Sequence, residues 1–251
     1  MYVYENRVLD TLSRSKPDLL RNRLKAIDYV HGDLLAETGA PIEHVIFPRS
    51  GLVSMVVDLV DGDRIEVAMV GSGGAIGGGV VFGATHRLCT SFAQLPGRAW
   101  LMKSADAVEI ANDSLEFRNL LYMQERYIQA QAQQTAACNA KHTIMRRLCS
   151  WLLRAQDAIG SGELLLTQEH LAQMLGVQRA SVSMFASQLQ EQGVIQYRRG
   201  RMHIANSAGL AEHACECHAA LRQQRERLIA ETLDEPLQAA GGGAVNAALT
   251  A

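Results

Sequence analysis

One stretch narrows the folding options more than any other: "LTQEHLAQMLGVQRASVSMFASQLQEQGVI", running from Leu166 to Ile195. Two short apolar periodicities flank a Gly-Val step. Thr167 is a good N-cap, and Gln168 and Glu169 suit the first turn of a helix. Leu171, Ala172 and Leu175 give that helix a buried face, and Gly176 can take the left-handed backbone that reverses the chain. In the next helix Val182, Phe185, Ala186 and Leu189 form the apolar stripe. Counted from Ala172, the constraints fall at +4 (Gly176), +10 (Val182) and +13 (Phe185). Ala172 must be small because the second helix crosses the first there. That spacing is the helix-turn-helix spacing.

The residues that follow extend the pattern. "VIQYRRGRMHI" reads as two strands turning at Arg199-Gly200, a wing that carries Arg198, Arg199 and Arg201. Arginines there can hold phosphates beside a groove entered by the second helix. The face opposite Val182 and Phe185 holds Ala180, Ser183, Met184 and Ser187, with Ser181 at its margin. Gln178 and Arg179 stand at the helix N-terminus, and Arg179 can bond guanine O6 and N7 with two N–H groups. Gln178 suits adenine or a phosphate, whereas Ala180 and Met184 offer apolar contact to thymine methyls. Together with Thr167 these are the expected DNA contacts.

Charge places the same segment apart. The net charge is -2, which argues against a uniformly basic nucleic-acid binder, but the mean hides a pattern. Residues 1–140 carry 13 Lys and Arg against 16 Asp and Glu, residues 141–206 carry 8 against 4, and residues 207–251 carry 3 against 6. The middle block is where a polyanion would bind. With 48% hydrophobic and 20% charged residues, the chain buries a real core. No apolar run approaches the roughly 20 residues needed to span a bilayer, and the start lacks the order of a secretory signal. A cytoplasmic protein with no membrane contact is expected. Its five scattered cysteines are expected to be reduced thiols.

From about Asp28 to Met102 the sequence reads as short strands with turn punctuation, pointing to an antiparallel sandwich or barrel. "DLVDGDRIEV" is a hairpin turning at Asp61-Gly62, and "AQLPGRAWLM" reads as a strand pair broken by Pro96-Gly97. "GSGGAIGGGVVFG" could cradle a phosphate through exposed N–H groups or simply make tight corners; it opens no GxGxxG or Walker pattern. From Ser114 the texture becomes helical. Leu120, Met123, Tyr127, Ala130 and Ala137 follow a rough 3-4 spacing, beside the small residues Ala132, Ala136 and Ala140. A long helix with such a seam suggests a two-stranded dimer contact, the alternative being packing onto its own domain. Ile144, Leu148, Trp151, Leu152 and Ala155 share one face of a second helix.

This order resembles the Crp/Fnr family of bacterial transcription regulators over about residues 15–206. The resemblance is strongest in "LTQEHLAQMLGVQRASVSMFASQLQEQGVIQYRRGRMHI", and "GDLLAETGAPIEHVIFPRSGLVSMV" looks like the family's opening strands. It implies an α+β fold: an N-terminal antiparallel β-roll of the cyclic-nucleotide-binding type (15–113), a long dimerisation helix (114–140) and a C-terminal winged helix-turn-helix (141–206). A C-terminal helix and tail (207–251) follow, the tail "AAGGGAVNAALTA" reading as disordered. Implied partners are double-stranded DNA, a second copy of the chain, RNA polymerase and an unidentified small-molecule effector.

Departures from the family are specific. Arg179 is kept at the start of the recognition helix, but Ala180 stands where a Glu is common and Met184 where a second Arg is common. In the sheet domain "IGGGVVFG" places Gly78 where the cyclic-nucleotide binders carry the ribose-binding Glu. Gly77, Gly78, Gly79 and Arg87 are the candidate ligand residues, and cyclic AMP is not the expected ligand. No cysteine precedes Cys89, so the N-terminal cysteine cluster of the family's oxygen-sensing members is absent, and no cofactor is expected. In "EHACECHAALRQQRERL", His213, Cys215, Cys217 and His218 are metal-ligand types. Read as one helix, the segment sets Cys215 and Cys217 about 200° apart, too far round to chelate one ion. His213 and Cys217, at i and i+4, make half a site, and a cysteine-bearing packing helix is expected rather than a metal site. The overall reading is a DNA-binding regulator rather than an enzyme. The alternative is a ligand- or redox-sensing β-roll protein in which DNA binding is secondary.

Overall fold

The computed structural model describes residues 3–198 and 200–234. Helix α1 (Arg7–Ser15) is capped by Asn6, whose side chain accepts from the N–H groups of Val8 and Leu9 and donates to the carbonyls of Pro48 and Gly74. A 3-10 turn (Pro17–Leu20) leads into strands β1 (Leu24–Tyr29), β2 (Leu34–Ala36), β3 (His44–Asp58) and β4 (Arg64–Val70). A second 3-10 turn (Gly78–Phe82) precedes β5 (Thr90–Lys103). Every pairing is antiparallel, in the order β1-β5-β3-β4 with β2 on β5. This is the expected roll.

The hairpin falls where the Asp-Gly step places it, with Gly62 at φ 90° and Asp58 opposite Arg64. The break expected at Pro96-Gly97 does not occur, because β5 runs through it. Opposite it, β3 shifts register between Pro48 and Ser50 and again between Ser50 and Leu52. A Cβ on Gly97 would lie 2.1 Å from the Ser50 carbonyl oxygen, and one on Gly51 2.6 Å from that of Pro96. The two backbones therefore cross too closely for side chains, and bulges absorb the bend that looks like a strand end in the sequence.

Helix α2 (Ser104–Asp113) follows β5 directly, and Ser114 caps α3 (Leu115–Lys141). Phe117 and Leu121 of α3 are fully buried with Val8, Leu9 and Leu12 of α1 and Val45 and Phe47 of β3. The expected dimer seam needs correcting. Leu120, Met123 and Ala130 are buried within the chain itself, and Tyr127 is half-buried beneath the Arg225 guanidinium, 5.7 Å from its ring centre. Only Ala137 of the five is exposed. The outward face instead carries Tyr122, Arg126, Gln129, Gln133, Ala136 and Ala140, again at 3-4 spacing.

Helix α4 (Ile144–Ile159) buries Leu148, Trp151, Leu152 and Ala155. Then come β6 (Glu163–Leu164), α5 (Gln168–Leu175), α6 (Arg179–Glu191), β7 (Ile195–Arg198) and β8 (Arg201–Ile204), the three strands forming a small sheet in the order β6-β8-β7. Helices α7 (Ser207–His213) and α8 (Cys217–Asp234) complete the described chain, and the tail expected to be disordered lies outside the described residues. One apolar core joins the two halves: Leu52, Val56, Met69 and Phe92 of the roll pack with Leu148, Leu152, Leu171 and Leu175.

Within that junction sits a carboxylate. Glu66 of β4 is buried, accepting hydrogen bonds from Ser54 Oγ at 2.5 Å and from Trp151 Nε1 of α4 at 2.8 Å. Burial pushes its carboxyl up to about 7, against the lowering influence of Arg154 and of those two hydrogen bonds. An unfolded glutamate titrates near 4.3. Between the two values the folded chain holds a proton that the unfolded chain has lost, so this group's contribution to stability falls as pH rises through that window and is level above it. We therefore expect Glu66→Gln to flatten the pH dependence. The difference in urea midpoint between variant and parent should grow in the variant's favour from pH 5 to pH 8, and an unchanging difference would contradict this.

Candidate nucleic-acid interface and the turn of the sheet domain

The helix-turn-helix is built as its residues require. Thr167 Oγ1 accepts from the His170 N–H at 3.2 Å, while His170 Nδ1 accepts from the Thr167 N–H at 3.5 Å, closing a capping box at the start of α5. Gly176 ends the helix at φ 60°, and the Val177 N–H returns to the Ala172 carbonyl at 3.0 Å. Val182, Ala186 and Leu189 bury the inner face of α6, with Phe185 packed beside them. Gln178, Arg179, Ala180, Met184 and Ser187 are exposed, Met184 at 58%, and Ser181 and Ser183 are half-buried. An exposed methionine on an amphipathic helix is an apolar contact waiting for a partner.

Thr167 is committed to its cap and lies half-buried, so it offers the interface a helix start rather than a free hydroxyl. Arg179 is free to swing outward. Its one ion pair among the described residues, Nε to Glu169 Oε2 at 3.7 Å, joins two side chains about 70% exposed, and such pairs contribute little in water. The wing is anchored to α6 by the Tyr197 N–H bonding Gln190 Oε1 at 2.8 Å. Arg198 and Arg201 face each other across its tip and are both exposed; Arg199 lies outside the described residues.

Two further contacts join the helix-turn-helix to the roll. The His31 and His170 rings stack with centroids 3.9 Å apart, His31 Nδ1 lying 2.8 Å from the Gln94 carbonyl. Burial, and then the neighbouring His31, lower the affinity of His170 for a proton. At the turn, Gly176 comes so close to Ile65 of β4 that a Cβ would sit 2.4 Å from its Cδ1.

In the sheet domain the candidate ligand residues do come together. Gly77, at φ 85°, opens the 3-10 turn and lies against the Arg87 guanidinium. One N–H of the turn is already engaged by a carboxylate, however. Glu125 of α3 accepts from the Gly79 N–H at 2.9 Å, and Arg87 donates to the His44 carbonyl at 2.6 Å. Burial raises the proton affinity of Glu125, and the Gly79 N–H and then Arg87 oppose that. The chain's own carboxylate occupies the place where the turn would hold an anion. Sequence reading missed Glu125 because it lies 46 residues from Gly79. Elsewhere, a cavity of about 450 Å³ opens between the roll, α3, α4 and α8, lined by Arg7, Arg154, Arg222 and Arg225 among others.

The cyclic nucleotide-binding domain model matches residues 26–114, and the Crp-like helix-turn-helix domain model matches residues 146–213. The chain belongs to the Crp/Fnr family of transcription regulators. Among solved structures it is similar to FixK2 from Bradyrhizobium japonicum, with a TM-score of 0.66, 19% identity, and coverage of 76% of this chain and 98% of that one. A CRP-family transcriptional regulator from Thermus thermophilus gives 0.62 and 20%, covering 76% and 99%. CLP of Xanthomonas campestris, a c-di-GMP responsive global regulator, gives 0.61 and 14%, covering 76% and 98%. No curated protein matches the sequence. No helix among the described residues is long and apolar enough to cross a membrane.

For a Crp/Fnr regulator the filled turn carries a consequence. A cyclic phosphate entering it must displace the Glu125 carboxyl from the Gly79 N–H, with Gly78 offering no carboxylate for the ribose. Cyclic AMP at millimolar concentration is therefore expected to leave DNA affinity unchanged. Calorimetry that detected micromolar cyclic AMP binding would contradict this.

Proposed function

We propose that this regulator binds palindromic double-stranded DNA as a homodimer, reading each half-site through Arg179, and that its roll answers to an effector other than cyclic AMP. The observation that carries the reading is the outward face of α6. It presents one forked cation at its leading end, apolar and small groups behind it, and two exposed wing arginines beside it. Arg179 can bond guanine bidentately, while Ala180 and Met184 suit thymine methyls. The outward stripe of α3 from Tyr122 to Ala140 supports pairing with a second copy, since small residues at Ala136 and Ala140 let two helices approach. DNA as partner implies a cytoplasmic site of action, and RNA polymerase is the partner through which such a regulator acts on transcription.

The alternative is a sensor in which DNA contact is secondary. Gel shifts on random and palindromic duplexes across a salt series separate the two. The regulator should prefer the palindrome at every salt concentration, whereas a vestigial binder should show no preference. On a preferred duplex, Arg179→Ala should cost roughly 1–3 kcal/mol and relax the choice at one G·C pair. Arg201→Ala should weaken binding to all sequences alike and lower the salt slope by about 1. If Arg179→Ala instead weakens every duplex equally, Arg179 bonds a phosphate and the assignment of base reading fails.

A further inference from the structure

The segment around Cys215 does not fold as the single helix expected. Helix α7 ends at His213, Ala214 is extended (φ -74°, ψ 161°), and α8 begins only at Cys217. Cys215 and Cys217 therefore lie on either side of a bend, and the geometry that set them apart on one helix no longer applies. The bend faces the end of α3, where Cys138 lies in the last turn and His142 is the residue that caps it. His213 and His218, also of metal-ligand type, take no part; His218 Nε2 pairs with Asp157 at 2.8 Å.

The four donor atoms, Cys138 Sγ, His142 Nδ1 or Nε2, Cys215 Sγ and Cys217 Sγ, lie within 4.8 Å of one another. The Cys138 and Cys215 sulfurs are 3.6 Å apart, and Cys217 Sγ is 3.5 Å from His142 Nδ1. With Zn–S of about 2.3 Å and Zn–N of about 2.0–2.1 Å, a tetrahedral ion needs edges of roughly 3.8 Å between sulfurs and 3.6 Å between sulfur and nitrogen. Both distances fall close to those values. All three cysteines are buried, and His142 turns its other nitrogen, Nε2, to Glu216 Oε1 at 3.2 Å. A carboxylate on the outer nitrogen of a ligating imidazole fixes its orientation and its tautomer. Gln134 Nε2 donates to Cys217 Sγ at 3.1 Å, as amides do to metal-bound thiolates. Close by, Arg147 Nε is buried without a hydrogen-bond partner among the described residues, a cationic donor that suits a site of net negative charge.

We propose that Cys138, His142, Cys215 and Cys217 form a closed, tetrahedral site for a single zinc ion. Three thiolates and one imidazole are the ligand chemistry of structural zinc. Donor atoms this close leave room for one ion and none for a cluster of irons and sulfides. Binding releases the three thiol protons to solvent and involves no oxidation. The ion clips the last turn of α3 and its cap to the α7–α8 bend. It thus fixes the C-terminal segment at the junction where α3 gives way to α4 and the DNA-binding head. Arg147 carries the link onward by donating to the Leu175 carbonyl at the end of α5.

The full chain, purified with reductant and dialysed against zinc, should hold one zinc per chain by native mass spectrometry and elemental analysis. Cobalt substitution should give the visible absorption of a tetrahedral thiolate site. Cys217→Ser should lose the metal, while Cys89→Ser, at a cysteine outside the site, should retain it. Glu216→Gln leaves all four ligands in place and should weaken zinc affinity about 10–100-fold, which guards against a Cys217 variant that merely misfolds. The proposal is overturned if the chain binds no zinc, if it yields iron and sulfide instead, or if mass spectrometry shows a Cys138–Cys215 disulfide as the stable form under reductant. Zinc retained by Cys217→Ser with unchanged affinity would overturn it equally.

Discussion

One buried amide holds the three parts of this regulator in register. Gln131 of α3, 1% exposed, accepts from the Met69 N–H and donates to the Met69 carbonyl, both at 3.1 Å, and its oxygen also accepts from Arg154 of α4 at 2.7 Å. Strand β4 is the edge of the sheet, and among the described residues its outer backbone groups have no neighbouring strand. A side-chain amide replaces that strand residue for residue, satisfying a donor and an acceptor that would otherwise be costly to bury. The same atom fixes the first helix of the DNA-binding head. Three residues back along β4, the Glu66 side chain gives a second tie to α4 by accepting from Trp151 Nε1. A sheet edge that ends in solvent in other proteins is here the seam to which the long helix and the head are fastened.

The head is consequently held at several points with different chemistries. An apolar core joins it to β3 and β4, a stacked histidine pair touches the start of α5, and a glycine turn fits against Ile65. The Cys138–His142–Cys215–Cys217 cluster lies at the far side of the same junction. The residues of α6 proposed to contact DNA are left outward by all of these contacts. The arrangement separates what positions the head, which is buried, from the face proposed to read DNA, which is exposed.

The helix-turn-helix was legible because each of its requirements is local. A capping threonine, a small residue at the crossing, a glycine at the left-handed turn and apolar residues at helical spacing all fall within 30 residues. The α3 seam was misread for a physical reason. The inward face of that helix carries Asn119, Gln124 and Gln131, all buried and polar, so its apolar periodicity is blurred and the two faces look alike. The Pro96-Gly97 step punctuates a strand in sequence, yet it serves a close crossing with Ser50-Gly51 that only the paired strands reveal. Glu125 against Gly79 and Cys138 against Cys215 meet across 46 and 77 residues. The bend at Ala214 carries neither glycine nor proline to announce it. Long-range pairs of this kind leave no spacing to read.

The central claim is that two copies of α6, each led by a single arginine, read a symmetric site. Selection of bound duplexes from a random pool by the full chain tests it most directly. The account predicts a palindrome whose half-sites each carry one dominant G·C pair with thymine-biased flanks, their centres about 10–10.5 base pairs apart. A pool that stays unenriched, or that converges on an asymmetric site with no fixed spacing, would contradict it.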